Sequence, residues 1–400
     1  MKAVLGINDS SFQMIGGKSL LAWNIENLRE NGVTTIFLVG AKEPSIILPE
    51  NVVFVRDPGL GDGGVLSLLS KKISSNFAYI PAPIFFNVDL KRALKHHSAS
   101  NNWITIFAGP RASLKGQRIL IEGDNSLLRN AVLENEKRDF DVHNLVDLGI
   151  YIVSPEVFAL TPTNTACSFF KDIVMPARVD GLSGIYLTSE YARVLTDTKA
   201  IEEAINRGIP EKRNLKNPQK AIFLDRDGTI NQFGDFVVRP DMLVLMKKSV
   251  EAIRLIDDSE YIPIVVTNQP IVARGEATLE TLDIIHCRLE SLLEQEGCYV
   301  NRIYFCPHDI DKTKEWNASC DCRKPKIGML LKAKERFNID FASSWMIGDT
   351  TQDVQTGLNA GTHAVLLLCG DPNPRKRFPD AKPDFEAADL LLAVEKLLNK

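Results

Sequence analysis

Ala221-Ile222-Phe223-Leu224-Asp225-Arg226-Asp227-Gly228-Thr229 sets four apolar residues directly before two carboxylates, spaced one residue apart, and a glycine. A short apolar run ending this way reads as a buried strand that delivers Asp225 and Asp227 to the mouth of a sheet. Carboxylates so placed can divide labour, one attacking and one moving protons. An acidic turn after a strand is the plainer reading of the same residues, so their neighbours have to decide.

Outward from this stretch, strand-like runs at 262–266, 302–305, 344–347 and 364–368 alternate with helical periods at 248–257, 279–296, 329–337 and 353–360. Strand-helix alternation implies a parallel sheet covered on both faces, with ligands at the carboxyl ends of its strands. The second run ends in Thr267-Asn268-Gln269, whose hydroxyl and amide can hold phosphoryl oxygens. Arg323-Lys324-Pro325 supplies cations. The run at 344–347 delivers Gly348-Asp349 and, four residues on, Asp353, so further carboxylates reach the same edge, where hard oxygen ligands suit Mg²⁺. Each element is weak alone; four in order at successive strand ends are not.

Cys306-Pro307-His308, eleven intervening residues, then Cys320-Asp321-Cys322 offers three thiolates and one imidazole. That is a full tetrahedral set for Zn²⁺ with no position left for water, which argues for structure rather than catalysis. Zinc would order a polar loop with little to bury and would fix the approach of Arg323 and Lys324.

D-x-D-G-T, a strand-terminal Thr, a Lys and G-D-x-x-x-D resemble the haloacid dehalogenase (HAD) superfamily of phosphotransferases. The resemblance implies that Asp225 is the nucleophile, becoming an aspartyl phosphate, and Asp227 the general acid/base. It further implies that Thr267 and Lys324 grip the phosphoryl group, while Asp225, the Asp227 carbonyl and Asp349 hold Mg²⁺. Asp353 is left as a partner of either Lys324 or the metal. With Ala273-Arg274-Gly275 and the Cys/His pattern, residues 221–370 resemble the D-glycero-D-manno-heptose-1,7-bisphosphate phosphatase family. Histidinol-phosphate phosphatases are the nearest competitor, with a shorter loop between the His and the second Cys pair. Pro270-Ile271-Val272 stands where single-domain members carry Ser-Gly-Ile, which implies a differently shaped loop on the substrate side.

The first half is also alternating. Strands are expected near 3–5, 35–39, 52–55, 77–80 and 103–107, and helices near 20–30, 64–71 and 90–97. Gly17-Lys18-Ser19, Leu60-Gly61-Asp62-Gly63-Gly64, Ile84-Phe85-Phe86-Asn87-Val88-Asp89-Leu90 and Gly149-Ile150-Tyr151-Ile152-Val153 resemble, in order, the sugar-1-phosphate nucleotidyltransferases over about residues 1–205. The family's G-x-G-x-R loop is missing from Val4-Leu5-Gly6-Ile7-Asn8-Asp9-Ser10-Ser11-Phe12, so backbone amides there cannot close on a triphosphate. Ala82-Pro83 stands where the family has its metal aspartate, and Val194 aligns loosely with the second. Asp9, Asp57 and Asp62 read as surface or capping carboxylates, and His96 and His97 as a polar helix end.

Four hundred residues with 44% hydrophobic and 24% charged content exceed a single core and exclude disorder. The expected organisation is α/β in two domains: a nucleotidyltransferase-like mixed sheet at 1–207 without NTP chemistry, a linker at 208–220, and a HAD-like parallel sheet with a zinc-bound loop at 221–400. A net charge of −4 with scattered basic residues predicts no nucleic-acid partner. The longest apolar runs fall far short of the roughly 20 residues a membrane helix needs, and residues 1–8 lack a signal pattern, so a cytoplasmic protein is expected. The leading expectation is a Mg²⁺-dependent phosphatase of a phosphorylated heptose. The alternatives are a bifunctional phosphatase and nucleotidyltransferase, or a phosphatase fused to a noncatalytic sugar-binding or scaffold domain.

Overall fold

A computed structural model describes residues 1–110, 118–122, 127–132, 145–195, 198–234, 236–309 and 320–399, with the backbone alone at 118–122 and 127–132. The chain forms two compact units, one holding Met1–Gly109 and Leu145–Leu215, the other Lys216–Lys400.

In the first unit nine strands make one mixed sheet, in the order Val52–Arg56, Thr35–Gly40, Lys2–Gly6, Phe77–Ile80, Val146–Val153, Ile104–Gly109, Ser183–Leu187, Leu127–Val132 and Arg118–Glu122. The first four run parallel, and Val146–Val153 is antiparallel to both of its long neighbours. Alternation along Lys2–Gly6 sends Ala3 and Leu5 into one apolar cluster and Val4 into another, so both faces are covered. After this strand the chain does not wrap outward. Asn8 accepts from the Ser10 amide at 2.9 Å, Ser11 Oγ accepts from the Asn8 amide at 3.1 Å, and across a short 3₁₀ turn, Asp9–Phe12, the Ser11 and Gln13 amides donate to the Asn8 and Ser10 carbonyls.

The boundary between the two units falls at Leu215/Lys216, inside the stretch 208–220 expected as a linker; within that stretch Ile209–Lys212 is a helical turn, and Ile209, Pro210, Arg213, Asn214, Leu215 and Gln219 are buried. Their polarity is turned inward, with the Leu215 amide donating to Glu190 Oε1 at 2.9 Å and the Gln219 amide to the Asn338 carbonyl at 2.8 Å. One expectation for the first unit needs correction: His97 is not part of a polar helix end. It is 1% exposed, and its two ring nitrogens each lie 2.8 Å from a hydroxyl, those of Thr105 and Ser154. Asp57 and Asp62 do accept from backbone amides, those of Gly59, Leu60 and Phe169.

In the second unit six parallel strands run in the order Arg302–Cys306, Tyr261–Asn268, Lys220–Leu224, Trp345–Gly348, His363–Leu367 and Phe385–Ala387. Helices Lys247–Asp257, Leu279–Gln295, Gly328–Phe337, Thr351–Ala360 and Leu390–Leu398 connect and cover them. Strand order reverses beside Lys220–Leu224, the place where loops diverge and leave a crevice at the carboxyl ends. Among the described residues, no helix is long and apolar enough to cross a membrane.

Candidate active site

The ladder between Lys220–Leu224 and Trp345–Gly348 continues one step further, with the Asp225 amide donating to the Ile347 carbonyl at 3.0 Å. This holds Asp225 at the crevice while the chain turns through Arg226, Asp227 and Gly228. Gly228 sits at φ +78°, and a Cβ there would lie 2.0 Å from Asp349 Oδ2. The glycine therefore admits the Asp349 carboxylate from the neighbouring strand end. From its other side the Asp371 amide donates to Asp349 Oδ2 at 2.8 Å.

A cleft of about 300 Å³ opens over these groups, and all the expected residues of this edge line it: Asp225, Asp227, Thr267, Asn268, Arg323, Lys324, Asp349 and Asp353. Lys324 Nζ donates to Asp225 Oδ1 at 2.7 Å and to Asp353 Oδ1 at 2.5 Å. Asp353 thus contacts Lys324, one of the two partners left open for it, and it also caps the Thr351–Ala360 helix by accepting from the Thr350 amide at 3.3 Å, with Thr350 Oγ1 donating to the same oxygen at 2.6 Å. Asn268 lines the cleft and also bonds to the lysine main chain. Its amide nitrogen donates to the Lys324 carbonyl at 3.3 Å and its oxygen accepts from the Lys324 amide at 3.0 Å, so it braces the lysine backbone. Thr267 Oγ1 accepts from Gln269 at 3.0 Å, which leaves its proton for an acceptor in the cleft. Arg323 gives one guanidinium nitrogen to the His308 carbonyl at 2.6 Å.

Three groups that hold Asp227 were not foreseen. Arg226, fully buried, donates to both of its oxygens at 2.9 and 2.8 Å; Gln269 donates to Oδ2 at 2.7 Å and Asn231 to Oδ1 at 3.0 Å. Burial alone would raise the Asp227 carboxyl, but Arg226 and the amides outweigh it and hold it below the usual carboxylate range. The signal was present in the sequence, since Arg226 separates the two acids and Gln269 follows the strand-terminal threonine. For Asp225, burial is the dominant influence and pushes it up to about 6 against the pull of Lys324. Burial, followed by the charges of Asp225 and Asp353, pushes Asp349 up to about 8. Burial would lower Lys324, yet Asp225 and Asp353 together raise it.

Oxygens of Asp225, Asp349 and Asp353 lie within 4.8 Å of one another with one lysine to balance them. That surplus of hard negative oxygen suits a small divalent cation. A separate cluster gathers Cys306, His308, Cys320 and Cys322: Cys322 Sγ is 3.1 Å from Cys306 Sγ and 3.3 Å from His308 Nδ1, and Cys306 Sγ is 3.7 Å from Cys320 Sγ. These separations exceed a disulfide and approach the edges, about 3.7 Å, of a tetrahedron with metal–sulfur bonds near 2.3 Å. The connecting loop lies outside the described residues from 310 to 319.

A parallel sheet with this strand order, bringing D-x-D-G-T, a lysine and G-D-x-x-x-D to one cleft, defines a HAD-like phosphomonoesterase, and the HAD-hydrolase-like family model matches residues 321–393. The D-glycero-beta-D-manno-heptose-1,7-bisphosphate 7-phosphatase of Pasteurella multocida is 37% identical over 155 residues, covering 38% of this chain and 84% of its own. The crystal structure of D,D-heptose 1,7-bisphosphate phosphatase from B. bronchiseptica, complexed with magnesium and phosphate, is 34% identical with a TM-score of 0.41, over 45% of this chain and 99% of its own. Through its C-terminal half the chain belongs to this heptose-bisphosphate phosphatase family of HAD-like hydrolases. For the first unit, the inositol-1-phosphate CTP transferase of T. maritima is 16% identical with a TM-score of 0.36, over 46% of this chain and 84% of its own.

Proposed function

We propose that the chain hydrolyses the 7-phosphate of D-glycero-D-manno-heptose 1,7-bisphosphate in a Mg²⁺-dependent reaction, through an aspartyl phosphate on Asp225. The observation that carries this reading is the Lys324 ammonium set between Asp225 and Asp353 in a cleft that also holds Asp227 and Asp349. Asp225, Asp349 and the main-chain carbonyl of Asp227 would hold Mg²⁺, whose charge offsets repulsion between a carboxylate and a phosphate dianion. Asp225 attacks phosphorus as the bond to the sugar oxygen breaks, and Lys324 with the Thr267 hydroxyl steadies the phosphoryl oxygens.

Asp227 gives its proton to the departing sugar oxygen and recovers one from the water that later cleaves the aspartyl phosphate. In the free protein Arg226 holds Asp227 ionised; the arriving phosphate supplies negative charge beside it and favours its protonation. Zn²⁺ at Cys306, His308, Cys320 and Cys322 would be structural, fixing the chain just before Arg323 and Lys324. The first unit, at 1–207 by its sequence pattern, serves sugar binding or assembly without NTP chemistry. The inward-bonded loop after Gly6 supports this.

Phosphate release from a panel of heptose 1,7-bisphosphate, heptose monophosphates, histidinol phosphate and hexose monophosphates tests the reading. The bisphosphate should give the highest kcat/KM; preference for histidinol phosphate would overturn the substrate assignment.

A further inference from the structure

The cleft is lined by five basic side chains, Arg274, Arg323, Lys324, Lys376 and Arg377, and they differ in what they already hold. Lys324 is committed to Asp225 and Asp353, Arg274 donates to Asp309 at 2.6 Å, and Arg323 gives one arm to the His308 carbonyl. Among the described residues, neither Lys376 nor Arg377 has a side-chain hydrogen bond or ion pair. The cationic side chains that hold no partner therefore lie on one wall, at Lys376 and Arg377.

That wall is anchored. At its start the Asp371 amide donates to Asp349 Oδ2 at 2.8 Å and the Asn373 amide to Asp371 Oδ1 at 2.6 Å. Further on, the Thr351 amide donates to the Pro374 carbonyl at 2.8 Å, and the Thr351 hydroxyl reaches the Pro374 and Arg377 carbonyls. The adjacent Arg375 is paired away with Glu386. The backbone carrying Lys376 and Arg377 is thus tied to Asp349 and to the first turn of the Thr351–Ala360 helix, while both side chains remain exposed on the cleft rim.

A phosphoryl group at Asp225 and Lys324 occupies the floor, so a cation pair on the rim acts on whatever the substrate carries at a distance from the reacting end. We propose that Lys376 and Arg377 form the subsite for a second anionic group of the substrate and set its preference for a bisphosphate over a monophosphate. This rests on the phosphatase reading above. Arginine supplies a planar fork and lysine a mobile ammonium, a pair that accepts a phosphate from more than one direction.

The test uses full-length wild type, Lys376→Ala/Arg377→Ala and Lys376→Glu/Arg377→Glu, with folding checked by circular dichroism. Heptose 1,7-bisphosphate and fructose 1,6-bisphosphate are each compared with the matching monophosphate. In the alanine pair the bisphosphate-to-monophosphate ratio of kcat/KM should fall about 100-fold, tenfold for each charge-assisted bond removed, mainly through KM. The glutamate pair should lower it further. If wild type prefers a bisphosphate and both variants keep that preference, the subsite is overturned while the phosphatase assignment stands. Preference for the fructose ester, abolished in the variants, would support the subsite and overturn the heptose assignment. Absence of any bisphosphate preference in wild type would overturn both.

Discussion

Replacing Gly228 by alanine tests whether the position of the Asp349 carboxylate sets activity. The added methyl would lie 2.0 Å from Asp349 Oδ2 and 2.7 Å from its Cγ. Ordinary contact begins near 3.4 Å, so the carboxylate would have to retreat by about 1.4 Å. Retreat is blocked, because the Asp371 amide holds the same oxygen at 2.8 Å and Gly370 packs so closely that a Cβ there would lie 2.1 Å from it. The left-handed backbone, φ +78°, adds about 1–2 kcal/mol for any L side chain. Gly297→Ala separates the two effects: Gly297 is also left-handed, at φ +72°, and a methyl there would meet nothing within 4 Å. Both variants should melt earlier than wild type. Only Gly228→Ala should lose about 100-fold in kcat/KM, the scale expected for an ångström misplacement of a reacting group, together with weaker half-saturation by Mg²⁺. Phosphate release across a Mg²⁺ titration, beside thermal denaturation, measures both. If Gly228→Ala kept kcat/KM within about threefold of wild type, Asp349 would not need this placement and the reasoning would fail.

Asp225→Asn should abolish turnover with the fold intact, since an amide keeps the shape but cannot attack phosphorus; residual activity above one part in about 10³ would argue for another nucleophile. Cys320→Ser should lower both zinc content by elemental analysis and melting temperature, and full metal occupancy in that variant would mean the cluster is misread. The full chain, given any NTP and a sugar 1-phosphate, should release no pyrophosphate, because the amides of Asn8, Ser10, Ser11 and Gln13 are used within their own loop. Burial, with a smaller push from His96, lowers His97 from 6.5 to about 4. Between those values the unfolded chain binds a proton that the folded unit excludes, so stability falls as pH drops through that window and is unaffected above it. The stability penalty of His97→Gln, measured by denaturant titration, should accordingly shrink from pH 7 to pH 4; a constant penalty would show that His97 does not exclude a proton on folding.

The parallel sheet of the second unit is legible because its strands are buried on both faces and read as unbroken apolar runs. The runs expected at 262–266 and 302–305 lie inside the strands Tyr261–Asn268 and Arg302–Cys306. The closing strand Phe385–Ala387 and the helix Leu390–Leu398 are not among the expected elements: three partly exposed residues carry no period of their own, and the strand is defined only by pairing with His363–Leu367. In the first unit, Val146–Val153 shows itself in sequence only as a family motif. At residues 208–220, where the unit boundary falls, polar composition does not say whether the polar groups point at water or at Glu190 and Asn87.

The site follows the same division. Residues that act through their own chemistry, Asp225, Asp227, Lys324 and Asp349, stand at strand ends or in short motifs and can be read from order alone. Groups that act by restraining others cannot. Arg226 sits in the most prominent motif of the chain, yet its role depends on complete burial against the Asp227 carboxylate. Asn268 looks like a ligand for phosphate because amides suit that task, whereas its two polar atoms close on the Lys324 backbone from 56 positions away in the chain. With Gln352, which also donates to the Lys324 carbonyl, it holds the main chain from which the lysine reaches Asp225 and Asp353. A sequence motif therefore marks where charge will gather, and long-range hydrogen bonds decide which of those charges remain available to a substrate.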